Sequence, residues 1–195
     1  MTRTILSTES APSWDESLNL LEQLPSLPAE QRVAALERLV RNPSPGIREQ
    51  ALRIGATILT DARLTDYMRA DSDAVLRNAA GEIFRLRGGR SLPIVVGLLQ
   101  DADPDVVLQA VVILGRLSDP RGLEPLHAAL SPPDVNVQQE AILAIGRLGD
   151  ARSIPHLLPF LDGELWVQMS AVQALGDLRS PEAIAHLEPR LTDPL

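Results

Sequence analysis

The chain repeats itself about every thirty residues, and this period constrains its fold more than any other feature. Three segments align without gaps: VVLQAVVILGRL at 106–117, VQQEAILAIGRL at 137–148 and VQMSAVQALGDL at 167–178. The central alanines of these segments are Ala110, Ala141 and Ala171. A repeat of this length is typical of a solenoid, in which each unit packs against its neighbours and the chain presents an extended surface.

Each repeat is predicted to be two α-helices joined by a short turn. Around Ala110 the apolar residues fall on one helical stripe, formed by Val106, Ala110, Ile113, Leu114 and Leu117. The clearest first helices are expected to start near Asp105, Asn136 and Glu164, because acidic and amide side chains cap helix N-termini. The second helices are predicted at 121–130, 152–161 and 182–191.

We expect a single folded unit, because an elongated array has no large central core to divide. Residues 1–12 are polar and are predicted to form a flexible arm. Residues 13–195 are predicted to form one repeat domain, with an N-terminal cap pair at 13–41 and repeats at 45–70, 72–100, 103–131, 134–161 and 164–191.

The composition excludes several kinds of chemistry. All 18 basic residues are arginine and there is no cysteine, so the chain has no lysine for a Schiff base or a Walker A loop, and no thiol for catalysis. The net charge of −8 argues against a nucleic-acid binder. No segment resembles a signal peptide or a membrane span. We therefore expect a cytoplasmic protein with no cofactor and no membrane association.

One family resemblance follows from the repeat pattern. The best-matching residues are Val137, Ala141, Ile145, Gly146, Leu148, Asp150, Ile154, Pro155 and Leu157. This pattern resembles the HEAT-like repeat named after phycobilisome lyases, over roughly residues 45–191. The resemblance implies an all-α, right-handed α-solenoid of about six helix-turn-helix repeats, with the second helices lining the inner surface.

Proteins with this repeat include bilin lyase subunits, an iron hydroxylase and signalling adaptors. The resemblance therefore favours a non-enzymatic protein-interaction scaffold or adaptor in a bacterial regulatory or assembly complex. Two alternatives remain: an accessory subunit of a lyase-type enzyme that resembles the bilin lyases, and a protein that binds the nucleic-acid backbone. The sequence shows no catalytic constellation, so we expect no enzymatic activity.

The histidines do not follow the hydroxylase pattern, whose iron is held by His-Glu dipeptides. The three histidines are instead followed by Ala128, Leu157 and Leu187. His156 and His186 share one repeat position, so we expect them to lie side by side, either as surface or groove residues or as a metal pair. Pro159 and Pro189 share another position and are predicted to bend the second helices or to change their register. The alternative is a distorted C-terminal groove that receives a partner segment, formed by His156, Phe160, His186 and Arg190.

Arginine recurs at two repeat positions. One row contains Arg85, Arg116 and Arg147, and the other contains Arg90, Arg121 and Arg152. At ordinary helix spacings each row would extend about 20 Å. Acidic residues occur in the same turns and between repeats. The rows are therefore predicted either to pair internally and support helix caps, or to form a charged edge that binds a partner.

Three further features concern packing. Glycines five residues after each central alanine, Gly115, Gly146 and Gly176, are expected to mark close contacts between helices. Trp166 is predicted either to cover a helix turn or to anchor an interface. No polar capping helix follows the last repeat, so we expect its apolar face to be covered by self-association, by a partner or by further chain.

Overall fold

The computed structural model describes residues 13–70, 72–131 and 134–191, and only the backbone of residues 189–191. The predicted arm at 1–12 lies outside the described residues. The chain forms two compact units, residues 1–86 and 87–195. Helices are the only regular secondary structure in the described residues, which contain no β-strand.

The described residues of the first unit form five α-helices. They are α1 (Trp14–Gln23), α2 (Ala29–Leu39), α3 (Pro45–Ile58), α4 (Asp61–Met68) and α5 (Ala74–Arg87). The hydroxyl of Ser13 accepts a hydrogen bond from the backbone N–H of Glu16, whose carboxylate accepts one from the Ser13 N–H, so α1 starts with a capping box. Gly55 of α3 packs closely against Leu36 and Ile83, which are fully buried.

Seven α-helices lie in the part of the second unit that the structure describes. They are α6 (Leu92–Leu98), α7 (Pro104–Leu117), α8 (Leu123–Ala128), α9 (Val135–Leu148), α10 (Ile154–Leu157), α11 (Leu165–Asp177) and α12 (Pro181–Leu191). In chain order the twelve described helices make up six helix-turn-helix repeats. The prediction of an all-α solenoid is therefore confirmed.

Side-chain caps set the starts of the long first helices. Asp103 and Asp134 accept hydrogen bonds from the backbone N–H groups two residues later and cap α7 and α9. The predicted caps at Asp105 and Asn136 are therefore wrong by two residues: these residues donate the capped N–H groups instead. The predicted start at Glu164 agrees with the N-cap position of α11, but the Glu164 side chain makes no capping hydrogen bond.

The first helices end at equivalent positions in a left-handed backbone conformation. Ser118, Gly149 and Arg179, each eight residues after a central alanine, have φ values of 50°, 72° and 49°. A left-handed residue after the last turn is a common way to end a helix, and glycine adopts it without steric cost. Only one of the three repeats uses glycine there, so the other two carry backbone strain.

The first helices of the second unit stack in order, with α9 between α7 and α11. The central alanines at 110, 141 and 171 are fully buried. A Cβ atom built on Gly115 would lie 2.9 Å from the Ala144 Cβ, and one built on Gly146 would lie 2.6 Å from the Ala174 Cα. Both glycines therefore allow close helix contact, as predicted. Gly176 has no atom within 4 Å of its built Cβ, so the prediction is wrong there.

The second helices are shorter than predicted. The stretches at 120–122 and 151–153 are 3₁₀ turns that precede α8 and α10. Helix α10 ends at Leu157, and a 3₁₀ segment at 158–162 contains Pro159. At Pro159 the predicted change of register is observed as a change from α-helical to 3₁₀ hydrogen bonding, in which the missing N–H costs less. Helix α12, in contrast, continues through position 189.

Candidate functional site

The turn between first and second helices carries a recurring Asp–Arg pair. The Asp119 carboxylate accepts hydrogen bonds from the backbone N–H of Arg121 at 3.0 Å and from its guanidinium at 2.6 Å. Asp150 makes the same two contacts with Arg152 at the same distances. These hydrogen bonds hold the pKa of each carboxyl at about 2, well below its ordinary value. Each aspartate thus caps a 3₁₀ turn and fixes an arginine at its surface.

The same pairs leave the guanidinium groups open to solvent. The side chains of Arg121 and Arg152 are 68% and 80% exposed. The Arg121 Nη2 also lies 3.5 Å from the Gly89 carbonyl, which belongs to the preceding turn. Arg90, in the turn before α6, is exposed as well. This predicted row therefore combines internal pairing with an exposed basic edge.

Two arginines of the other predicted row form ion pairs within their own helices. Arg85 pairs with Glu82, one helical turn earlier, and this contact raises the pKa of the guanidinium. Arg147 pairs with Glu140, two turns earlier on α9. Arg116 is exposed on α7. Internal pairing, one of the two predicted roles, thus holds for Arg85 and Arg147.

The histidine contact joins a different pair from the predicted one. The rings of His127 and His156 stack with centroids 3.9 Å apart and an interplanar angle of 15°. A hydrogen bond of 2.9 Å joins His127 Nε2 to the hydroxyl of the buried Ser153. None of the described ring contacts joins His156 to His186, so that pairing stays a prediction. His127 and His156 lie 17 and 15 residues after their central alanines, so the observed contact joins two different repeat positions.

His127 is held in its neutral form. Its Nδ1 atom is buried and has no hydrogen-bond partner among the described residues. Burial lowers the pKa of His127 below its ordinary value, and the neighbouring His156 lowers it further. Glu124 and Asp150 oppose this shift and Arg152 adds to it. The stacked pair therefore serves packing and hydrogen bonding between α8 and α10 at neutral pH.

The predicted C-terminal groove is only partly described. His156 stacks on α8, Phe160 is half-buried in the 3₁₀ segment, and His186 is exposed on α12. The side chains of Pro189 and Arg190 lie outside the described residues. None of the described contacts brings Phe160 and His186 together.

A groove between α6 and α8 is better formed. Its volume is about 540 Å³, and its lining is mainly apolar, with Val96, Leu99, Pro125 and Ala128 among the lining residues. The space beside Gly97 on α6 is open, with no atom within 4 Å of a built Cβ. Sequence reasoning placed the second helices along an inner surface but did not identify these residues. The small residues Gly97 and Ala128 were the available signal.

Two glutamines that the sequence analysis did not identify join successive repeats. Gln138 Nε2 donates to the Leu130 carbonyl at 2.8 Å, and Gln168 Nε2 donates to the Leu161 carbonyl at 2.9 Å. Each lies three residues before a central alanine. Each satisfies a carbonyl that follows the preceding second helix, since Leu130 lies beyond α8 and Leu161 lies in the 3₁₀ segment beyond α10. Their shared repeat position was a usable signal.

The outer face of α11 is apolar and exposed. Leu165, Trp166, Met169 and Val172 are 63%, 68%, 56% and 40% exposed, and Ile184 on α12 is 49% exposed. A packing role for Trp166, one of its two predicted roles, is therefore wrong. The other predicted role, as an interface anchor, stays a prediction.

The described residues hold neither a metal cluster nor a membrane-spanning helix. These residues contain no cluster of three or more His, Cys, Asp or Glu side chains that could hold a metal ion. None of their helices is both long enough and apolar enough to cross a membrane.

Comparisons with known proteins agree with the repeat architecture. Three overlapping stretches, residues 62–134, 91–164 and 123–195, match the sequence pattern of HEAT repeats. The match is to HEAT repeats in general, so the phycobilisome-lyase subtype stays a prediction. No curated protein matches the sequence significantly.

Two solved structures show the same fold. Human deoxyhypusine hydroxylase, solved in complex with glycerol, is 16% identical, with a TM-score of 0.53 over 86% of this chain and 75% of that chain. An engineered protein is 19% identical, with a TM-score of 0.52 over 89% of this chain and 84% of that chain. At these identities the likeness concerns the fold alone.

Proposed function

This chain belongs to the HEAT-repeat family, and from that premise we propose that it is a non-enzymatic scaffold or adaptor that binds a protein partner. The observation that carries the proposal is the apolar groove between α6 and α8. Apolar grooves between helices are a common way for proteins to bind a helical or extended segment of a partner. The proposed setting, a bacterial cytoplasmic complex involved in regulation or assembly, rests on analogy with related repeat proteins.

Charges at the N-terminal ends of the helices that border the groove favour a particular partner chemistry. Arg90 and Arg121 lie in the turns that open α6 and α8, so the N-terminal ends of both bordering helices carry exposed guanidinium groups. Guanidinium groups bind carboxylates in a fixed, two-pronged geometry. We propose that the partner segment places apolar residues in the groove and a carboxylate at this end. The remaining predicted residues, including Arg116, Arg152 and His186, are proposed to extend the same partner-binding surface.

The test has two steps. The purified chain is used as bait in native lysate, and captured proteins are identified by mass spectrometry. Binding of the captured protein is then titrated against two variants, Ala128→Glu in the groove and Ala62→Glu on α4. Both alanines are exposed, so neither substitution disturbs a core. We expect Ala128→Glu to weaken binding at least about tenfold, as a charge at the centre of an interface does, and Ala62→Glu to leave it unchanged. Equal binding by both variants would contradict the groove as the binding site.

The rival functions predict different results. A lyase accessory subunit would carry bilin, which is detected by its visible absorbance after incubation with the chromophore. A nucleic-acid binder would show filter binding that falls steeply with salt, because phosphate contacts release counterions. We expect neither signal. Self-association through the face of α11 and α12 is compatible with the scaffold role, since it would place two grooves in one assembly.

A further inference from the structure

The outer face of the last repeat has the character of a buried surface. Val172 is 40% exposed, whereas its equivalents in the two preceding repeats, Val111 and Ile142, are fully buried. Ile184 is 49% exposed, whereas its equivalent Ile154 is fully buried. In each preceding repeat the following repeat covers these positions. The last repeat therefore presents side chains that the rest of the second unit keeps out of water.

The sequence of α11 agrees with this assignment. No ionisable residue occurs between Glu164 and Asp177, and apolar side chains surround the helix instead of following one stripe. Helices of this kind are normally buried on all sides. A contiguous exposed apolar patch on a folded protein indicates an interaction site. We use the name α11 face for the surface formed by Leu165, Met169, Val172, Gly176 and Ile184.

The spacing along the α11 face is symmetric. Leu165, Met169, Val172 and Gly176 lie on one stripe, separated by four, three and four residues. If two copies of α11 meet antiparallel about a two-fold axis, the spacing places Leu165 opposite Gly176 of the second copy and Met169 opposite Val172. Leu165 is a projecting, exposed side chain, and Gly176 has open space where a Cβ would be. A large residue thus faces a gap, and each contact occurs twice, as a two-fold interface requires.

The charges at the ends of α11 include one favourable pairing and a larger acidic repulsion in the same arrangement. Arg179 follows the helix, and Asp162 and Glu164 precede it. The antiparallel pairing brings Arg179 of one copy to the level of these two acids of the other, at both ends of the interface. Asp177 adds another acid at each end, so the ends remain acidic overall. Salt that screens this repulsion is therefore expected to strengthen the association.

We propose that the α11 face is a two-fold interface between two copies of this chain. The inference deepens the proposed scaffold function, since the dimer would present two partner-binding surfaces. The interface does not use the α6–α8 groove, so the two proposals succeed or fail independently.

The first test measures the mass of the purified full chain by sedimentation equilibrium over a wide range of chain concentrations. We expect a monomer–dimer equilibrium whose dissociation constant rises at least about tenfold in Val172→Glu, because a charge would be buried without a partner. The matched control is Val75→Glu, since Val75 on α5 is 42% exposed, nearly the same as Val172. The control is expected to dimerise like the wild type. Circular dichroism checks that both variants are folded.

The second test examines the register. The chain contains no cysteine, so introduced thiols report only on the intended contact. We expect an equal mixture of Met169→Cys and Val172→Cys chains to form the mixed disulfide faster than either variant forms its own, because the two positions face each other across the axis.

Several results would overturn the inference. A strictly monomeric wild type would do so, as would a dimer that Val172→Glu leaves intact, growth into larger polymers with concentration, or equal rates of all three disulfides. None of these results would affect partner binding at the groove, which the Ala128→Glu titration tests separately.

Discussion

The glycines that follow the central alanines offer a matched series for testing how the repeats pack. Gly115, Gly146 and Gly176 occupy the same position in three successive first helices, but their surroundings differ. A Cβ on Gly146 would lie 2.6 Å from the Ala174 Cα and 3.1 Å from the Ala174 carbonyl oxygen, so backbone atoms of α11 would have to move. A Cβ on Gly176 would meet nothing within 4 Å.

The expected energies follow from two opposing effects. Alanine is favoured over glycine inside a helix by about 0.5–1 kcal/mol. Forcing an extra methyl group into a packed contact costs about 1–3 kcal/mol. Gly176→Ala should therefore stabilise the fold by up to about 1 kcal/mol, because only the first effect applies. Gly146→Ala should fall below Gly176→Ala by about 1–3 kcal/mol, the cost of the contact with α11.

Urea unfolding followed by circular dichroism measures these differences. Gly115→Ala should lie between the other two, because its closest contact is the Ala144 side chain at 2.9 Å. Each titration is repeated at a lower chain concentration, so that dimer dissociation is not counted as unfolding. If Gly146→Ala proves as stable as Gly176→Ala, the close contact of α9 with α11 is refuted.

Three further predictions concern the second unit. Ser118→Gly should stabilise the fold by up to about 1 kcal/mol in urea unfolding, because it removes a non-glycine residue from the left-handed region. Gly149→Ala, at the equivalent position, should destabilise the fold by a similar amount. Equal effects of the two substitutions would contradict the role of the left-handed residue. The pKa of His127 is lowered in the folded chain, so the unfolded chain takes up the proton more readily. The free energy of unfolding should therefore be constant above about pH 6.5 and fall as the pH drops below it. When urea midpoints are compared at two pH values, this loss should be smaller in His127→Leu and unchanged in His186→Leu. Gln168→Leu should cost about 1 kcal/mol because the hydrogen bond from Gln168 Nε2 to the Leu161 carbonyl is lost. Gln173→Leu, on the exposed side of α11, should cost nothing measurable in the same assay.

The period and the helical stripes predicted the helices well, because both depend on local apolar spacing. This apolar spacing accounts directly for the burial of the central alanines, Ala110, Ala141 and Ala171. It also accounts for the close helix contacts at Gly115 and Gly146. Gly176 shows where such reasoning fails. Its sequence environment is the same as in the other repeats, but a close contact needs a neighbouring helix, which the repeat pattern alone does not supply.

The candidate surfaces were harder to predict. The pairing of His127 with His156 joins residues at different repeat positions, 17 and 15 residues after their central alanines. Equal spacing in the sequence predicted His156 with His186 instead. Likewise, the arginine rows were visible in the sequence, but whether each guanidinium pairs or stays exposed depends on side-chain geometry. Asp119 and Asp150 do both: each pairs with an arginine and leaves it exposed.

The most direct test of the central claim is a distance measurement between repeats. Helices α7, α9 and α11 stack in line, so equivalent positions recur at the spacing of packed helices. Spin labels on Arg116→Cys and Asp177→Cys, two exposed and equivalent positions in a chain without native cysteine, report the separation across two steps by double electron–electron resonance. With unlabelled chain in excess, we expect one narrow distribution near 16–20 Å, roughly twice the helix packing distance. A broad distribution, or one centred far from this value, would contradict the stacked arrangement.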